Sequence, residues 1–163
     1  MRTTWRWPRD HDEGDLIVSE MDEVIPALVA AVQEQHATGD HYRDDAIRQA
    51  MEHQAQLALR PGPVRVDVIV DPPWSDGQIN SVQVVTGDRP FLVDTVVSCL
   101  LRHGWRVEDV RHPIIGVKRD RGTIEAVGTP GRGGCASESW IHIDVTAPLG
   151  TDIGQAAEQL RDD

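Results

Sequence analysis

Cys99, His103, His112, Cys135 and His142 carry the ligand chemistry of a transition-metal site. Cys99 and His103, four residues apart, would share one flank of a helix. No Cys-x-x-Cys or His-Glu-x-x-His spacing accompanies them, so no metal site is expected and Cys99 reads as a small residue at a core edge. Nucleophilic catalysis has no better basis, because Ser139 stands beside Trp140 without Gly-x-Ser-x-Gly surroundings. Gly128–Gly134 (GTPGRGG) has the glycines of a phosphate cradle. It lies between two predicted strands, with no helix N-terminus to receive a pyrophosphate, so it reads as a flexible inter-strand loop. Glu138, beside that loop, is expected to pair with Arg111 or Arg132. His112 and His142 both fall on predicted strands that one sheet could bring close, where either would serve as a cross-strand hydrogen-bonding group.

Charge and composition narrow the classes further. Sixteen Lys plus Arg stand against 27 Asp plus Glu, a formal net charge of -11, which repels a polyanion such as DNA. No apolar run is long enough to cross a bilayer and no signal-peptide pattern opens the chain. Two cysteines fit a reducing compartment, so a cytoplasmic location is expected. Trp5-Arg6-Trp7 has no amphipathic continuation and reads as part of a charged, aperiodic lead-in rather than a membrane anchor.

Elements that must position these groups follow from periodicity. Ser19 is a good N-cap for a helix with Met21, Val24, Ile25, Leu28, Val29 and Val32 on one stripe, and Thr38–Asp40 breaks it. A second amphipathic helix runs over Asp44–Leu59 and stops at Arg60-Pro61-Gly62-Pro63. The period then changes to two. Val64, Val66, Val68 and Val70 alternate along a strand, and Ile79–Thr86 is a second strand whose Val84-Val85 pair suggests cover on both faces. A helix from Phe91 to His103 closes in Gly104, with Leu92, Val93, Val96, Val97, Leu100 and Leu101 as its core stripe. Phe91 projects with the polar group at the helix entrance, where it needs a cover from a local staple or a partner chain. Trp105–Lys118 is extended with Pro113 interrupting the ladder, followed by a short strand at Thr123–Val127. In Glu138–Thr146, Ile141, Ile143 and Val145 face one way and Trp140, His142 and Asp144 the other. A last helix begins near Thr151 or Asp152 and shows no stop signal, so the chain is expected to be cut from a longer protein. The whole reads as α+β, with helices on one face of an antiparallel sheet. Its parts are a lead-in over 1–18, a two-helix extension over 19–62 and the sheet domain over 63–163. The sheet's fourth strand stays open, with Val64–Val70 as one candidate.

The stretch Asp88-Arg89-Pro90-Phe91-Leu92-Val93-Asp94, running on to Gly104, resembles the ACT-domain signature, in which a strand ends in Asp-Arg-Pro-Gly before a helix. ACT domains are ferredoxin-like regulatory modules, and many bind an amino acid at a dimer interface beside that Gly. Here Phe91 stands in the Gly position, and a bulky side chain there is expected to block close approach of a ligand to the backbone. Together with His112-Pro113, Lys118-Arg119-Asp120 and Glu138-Ser139-Trp140-Ile141-His142-Ile143, in that order, the stretch is similar to the N-terminal region of the large bacterial NAD-specific glutamate dehydrogenases.

That resemblance implies a ferredoxin-like (ACT-like) fold. It marks Asp88, Arg89, Pro90, Phe91, Asp94, His112, Trp140 and His142 as signature or interface residues, without catalytic, cofactor or metal roles. Glutamate dehydrogenases use lysines in a Gly-rich motif, whereas Lys118 is the single lysine here and no such motif surrounds it. The resemblance therefore implies that NAD belongs to the parent enzyme and that this chain is a non-catalytic assembly or regulatory domain. Its expected partners are other domains or subunits, or a second copy of itself, with neither nucleic acid nor membrane. The competing reading is a free-standing sensor that binds an amino acid between two copies.

Overall fold

The structure, a computed structural model, describes residues 17–18, 21–35, 44–75, 77–150 and 152–161. The expected Ser19 cap, the Thr38–Asp40 break and the Trp5-Arg6-Trp7 segment lie outside the described residues.

The elements run β1 (Ile17–Val18), α1 (Met21–Gln35), α2 (Asp44–Ala58), β2 (Val64–Ile69), β3 (Ile79–Gly87) and α3 (Leu92–Arg102). They continue with β4 (Arg106–Arg111), β5 (Ile114–Asp120), β6 (Thr123–Gly128), β7 (Ala136–Thr146) and α4 (Ile153–Arg161). All pairings are antiparallel, in the order β1-β6-β5-β7-β3-β2, with β4 also on β7. Ile17–Val18, at the end of the expected 1–18 lead-in, pairs with Val127 and Ala126.

β4 and β5 are two halves of one extended segment beside β7. β4 pairs with His142–Thr146, and β5 pairs with Ala136–Ser139. Pro113 sits between them and has no N–H to give, but its carbonyl accepts the Trp140 N–H at 3.0 Å and carries the ladder across the break. A bulge between Val107 and Asp109 shifts the register within β4. The question of the fourth strand is settled by β2, which pairs with β3 from Val64↔Thr86 to Ile69↔Ser81. In a β-α-β-β-α-β unit that edge belongs to a strand after the last helix. Here β2, which lies between α2 and β3 in the chain, fills it.

The alternation of β7 is as its sequence requires. Ile141, Ile143 and Val145 join Val68, Val82, Val84, Leu100 and Trp105 in the core beneath α3 and α4. Trp140 joins Val85, Ile115, Val117, Ile124 and Val127 in a second core, covered by Leu28 and Val32 of α1 and Ala55, Leu57 and Ala58 of α2. The two-helix extension is thus the other outer layer of the sheet.

Local expectations need correction in four places. Val64 and Val66 are exposed, at 53% and 40%, because the core beneath α3 and α4 reaches β2 only at Val68. Arg65, on the opposite face, is buried, and its Nε donates to the Arg60 carbonyl at 2.5 Å. Leu101 lies at the edge of the α3 stripe and is exposed, while Leu100 is buried. The Gly128–Gly134 loop is tied by its own hydrogen bonds, Gly131 N–H to the Cys135 carbonyl and Cys135 N–H to the Arg132 carbonyl. It lies so close over β5 that a Cβ on Gly116 would overlap the Gly128 carbonyl. Asp152 is the cap of α4, its Oδ1 accepting the Gln155 N–H at 3.1 Å.

Candidate functional site

The sequence-marked residues other than His112 divide between two places. The first is the corner between β3 and α3. Asp88 is fastened to the start of β7, its N–H donating to the Ser137 carbonyl at 2.9 Å and its Oδ1 accepting the Ser139 hydroxyl at 2.5 Å. Arg89 and Pro90 are exposed. Phe91 occupies the N-cap position of α3 with φ 66° and ψ 12°, the left-handed conformation in which a bulky residue is strained. The Phe91 carbonyl accepts both the N–H and the hydroxyl of Thr95, at 2.9 and 2.8 Å. Asp94 lies in the first turn, where its charge complements the helix dipole. The Phe91 side chain is not stapled against the helix, for the residue is 76% exposed.

The second place lies on the other face of the sheet, under α2. Trp140 is fully buried, and its indole N–H donates to Glu138 Oε2 at 3.3 Å. Glu138 pairs with Arg119, at 2.6 Å from Nε, rather than with Arg111 or Arg132. Arg119 also donates to the Ala58 carbonyl at the end of α2, at 3.0 Å. Lys118 pairs with Glu125 at 3.4 Å. His112 is exposed at the β4–β5 junction, whereas His142 is buried, so the two histidines do not form one site.

His142 belongs to a chain of polar groups of which periodicity had placed only His142 and Asp144 on this face. Its Nδ1 lies 3.0 Å from Gln83 Nε2, and its Nε2 lies 3.0 Å from Asp144 Oδ1. Gln83 reaches upward to α2, with Nε2 donating to the Ala50 carbonyl at 2.9 Å and Oε1 2.8 Å from His53 Nδ1. Asp144 also accepts from Ser81 Oγ at 3.1 Å and from Arg111 NH2 at 2.8 Å. Trp74 donates to Ser81 Oγ at 3.1 Å, and its ring lies 5.4 Å from that of His53.

These contacts fix the protons. A carbonyl can only accept, so the Ala50 carbonyl sets the orientation of the Gln83 amide. His142 Nδ1 must then accept from Gln83, which puts the ring proton on Nε2, facing Asp144. His53 must carry a proton on Nδ1 to meet Gln83 Oε1. Burial holds His142 below the ordinary histidine range, with the Asp144 hydrogen bond opposing it and the Arg111 charge adding to it. Ser81 donates to Asp144 and not to histidine, so the trio is not wired as a nucleophile relay. Among the described residues, no group of three or more His, Cys, Asp or Glu could hold a metal ion. Burial also raises the Cys135 thiol, against the pull of Lys118.

The sheet, its helix pair and the Asp88–Asp94 corner define an ACT-like domain. The chain belongs to the glutamate dehydrogenase ACT1 domain family, whose model matches residues 27–162, from within α1 past the end of α4. No solved structure matches the chain significantly. Among the described residues, no helix is long and apolar enough to cross a membrane.

Proposed function

We propose that this ACT-like domain serves a large NAD-dependent glutamate dehydrogenase as a non-catalytic assembly module, not as an amino-acid receptor. The parent would oxidise L-glutamate to 2-oxoglutarate and ammonium in the cytoplasm, with NAD bound elsewhere in the enzyme. The carrying observation is Phe91. Its backbone keeps the left-handed turn that glycine favours, at φ 66°, while a benzyl group stands where the ACT pattern leaves bare main chain. A metabolite whose carboxylate would accept from the backbone N–H groups at that turn meets the ring first. The exposed ring and the β2 edge, with exposed Val64 and Val66, are apolar surfaces of the kind that other domains or subunits cover.

Calorimetry of the chain against a panel of L-amino acids tests this reading. Uniform absence of binding heat is expected, and saturable heat from one amino acid at the micromolar to millimolar level would favour the sensor instead.

A further inference from the structure

Helix α2 is fastened to the sheet by polar side chains as well as by apolar packing. Gln54 Nε2 donates to the Ile141 carbonyl at 2.9 Å, and Gln83 spans from His142 to both His53 and the Ala50 carbonyl. We propose that the His53–Gln83–His142 chain is a proton-operated clasp, closed while the His142 ring is neutral and opened when its Nδ1 takes a proton.

The geometry leaves a second proton on His142 nowhere to go. A proton on Nδ1 would point at the Gln83 Nε2 donor, 3.0 Å away. Gln83 cannot turn its amide over, because Oε1 would then face the Ala50 carbonyl and Nε2 would face the N–H of His53. The surrounding charges do not remove this conflict. From β7, Asp144 favours a charged ring, but its oxygens already accept from Ser81 of β3 and Arg111 of β4. Arg111 brings a like charge, and Asp109 lies behind it, 3.4 Å from Arg111 Nε. From α2, His53 keeps its Nδ1 proton on Gln83, and its Nε2 faces Asp67 of β2 at 3.6 Å, beside Arg60, so its contact with Gln83 does not depend on Nε2.

The sign of the pH effect follows. With α2 seated, His142 is held below its ordinary value of 6.5, and with α2 lifted it returns toward that value. The stabilisation of the closed form is therefore complete above about pH 6.5 and is lost as the pH falls from there toward the lowered value. The open population rises about tenfold for each pH unit in that window.

Amide hydrogen exchange of the whole chain at about pH 7.5 and about pH 5.5, corrected for the intrinsic exchange rate, tests the clasp. Protection across α2 is expected to fall about tenfold at the lower pH while the β3–β7 ladder keeps its protection. In His142→Asn, whose amide oxygen takes the place of Nδ1, can still accept from Gln83 and does not titrate, the loss is expected to vanish. Unchanged protection in α2, an equal loss in α2 and the β3–β7 ladder, or the same pH response in His142→Asn would each overturn the proposal. Nitrogen NMR of the unmodified chain gives a check that needs no variant. The His142 ring should carry its proton on Nε2 at about pH 7.5, and a proton on Nδ1 there contradicts the clasp.

Discussion

Phe91 holds the left-handed conformation at φ 66°, with no side-chain hydrogen bond capping the helix it begins. For an L-residue that conformation costs about 1–2 kcal/mol, while the ring regains little because most of it lies in solvent. Glycine at the same position loses about 0.5–1 kcal/mol of unfolded-chain entropy. Phe91→Gly is therefore expected to unfold at the same denaturant midpoint as the parent chain or a slightly higher one. A fall equivalent to more than about 1 kcal/mol would mean that the ring is packed in solution. The corner was legible in the sequence as a motif, and so was the oddity of Phe91 within it. Its exposure was not, because whether an aromatic ring at a helix entrance is stapled depends on the path of segments distant in the chain.

Elements are legible in the sequence wherever one periodicity governs both faces. β7 alternates as its residues demand, β3 is covered on both sides as Val84-Val85 suggested, and Pro113 divides the long strand. A strand whose two faces meet different layers is not legible from its alternation alone. In β2 the valines point to a face the helices only partly cover, and Arg65 lies beneath the opposite layer. The polar chain under α2 was equally hidden, since Gln83 meets His53 and His142 across 30 and 59 residues. One available signal was the His53-Gln54 pair set among Ala50, Met51 and Ala55, which puts polar groups on the buried side of an amphipathic helix. The Arg119–Glu138 pair, 15% and 8% exposed at its side chains, links β5 to β7 and reaches the end of α2. Arg119→Ala leaves the buried Glu138 without its hydrogen-bonded cation, with the Arg65 charge as partial compensation, and is expected to cost about 3 kcal/mol in urea unfolding. Adding Glu138→Gln to that variant should recover part of the loss, whereas simple additivity of the two changes would show that the pair is not coupled.

At the scale of the molecule, the two amino-terminal helices behave as a layer of the domain. They cover Val85, Ile115, Val117, Ile124, Val127 and Trp140, all buried, on the face opposite the core of α3 and α4. A chain beginning at residue 63 would expose that face, and it is expected to lose cooperative thermal unfolding and to aggregate. A sharp, reversible transition in the shortened chain would show that the sheet stands without this layer. What the assembled domain does for its enzyme turns on whether a metabolite can reach the main chain at the β3–α3 corner. The most direct measurement is an amide NMR titration of the chain with L-amino acids, reading the backbone signals of residues 87–95 in the unmodified protein and in Phe91→Gly. The unmodified chain should show no saturable shifts in that segment, whether or not removal of the ring admits a ligand. Saturable shifts there with Phe91 in place would contradict the account.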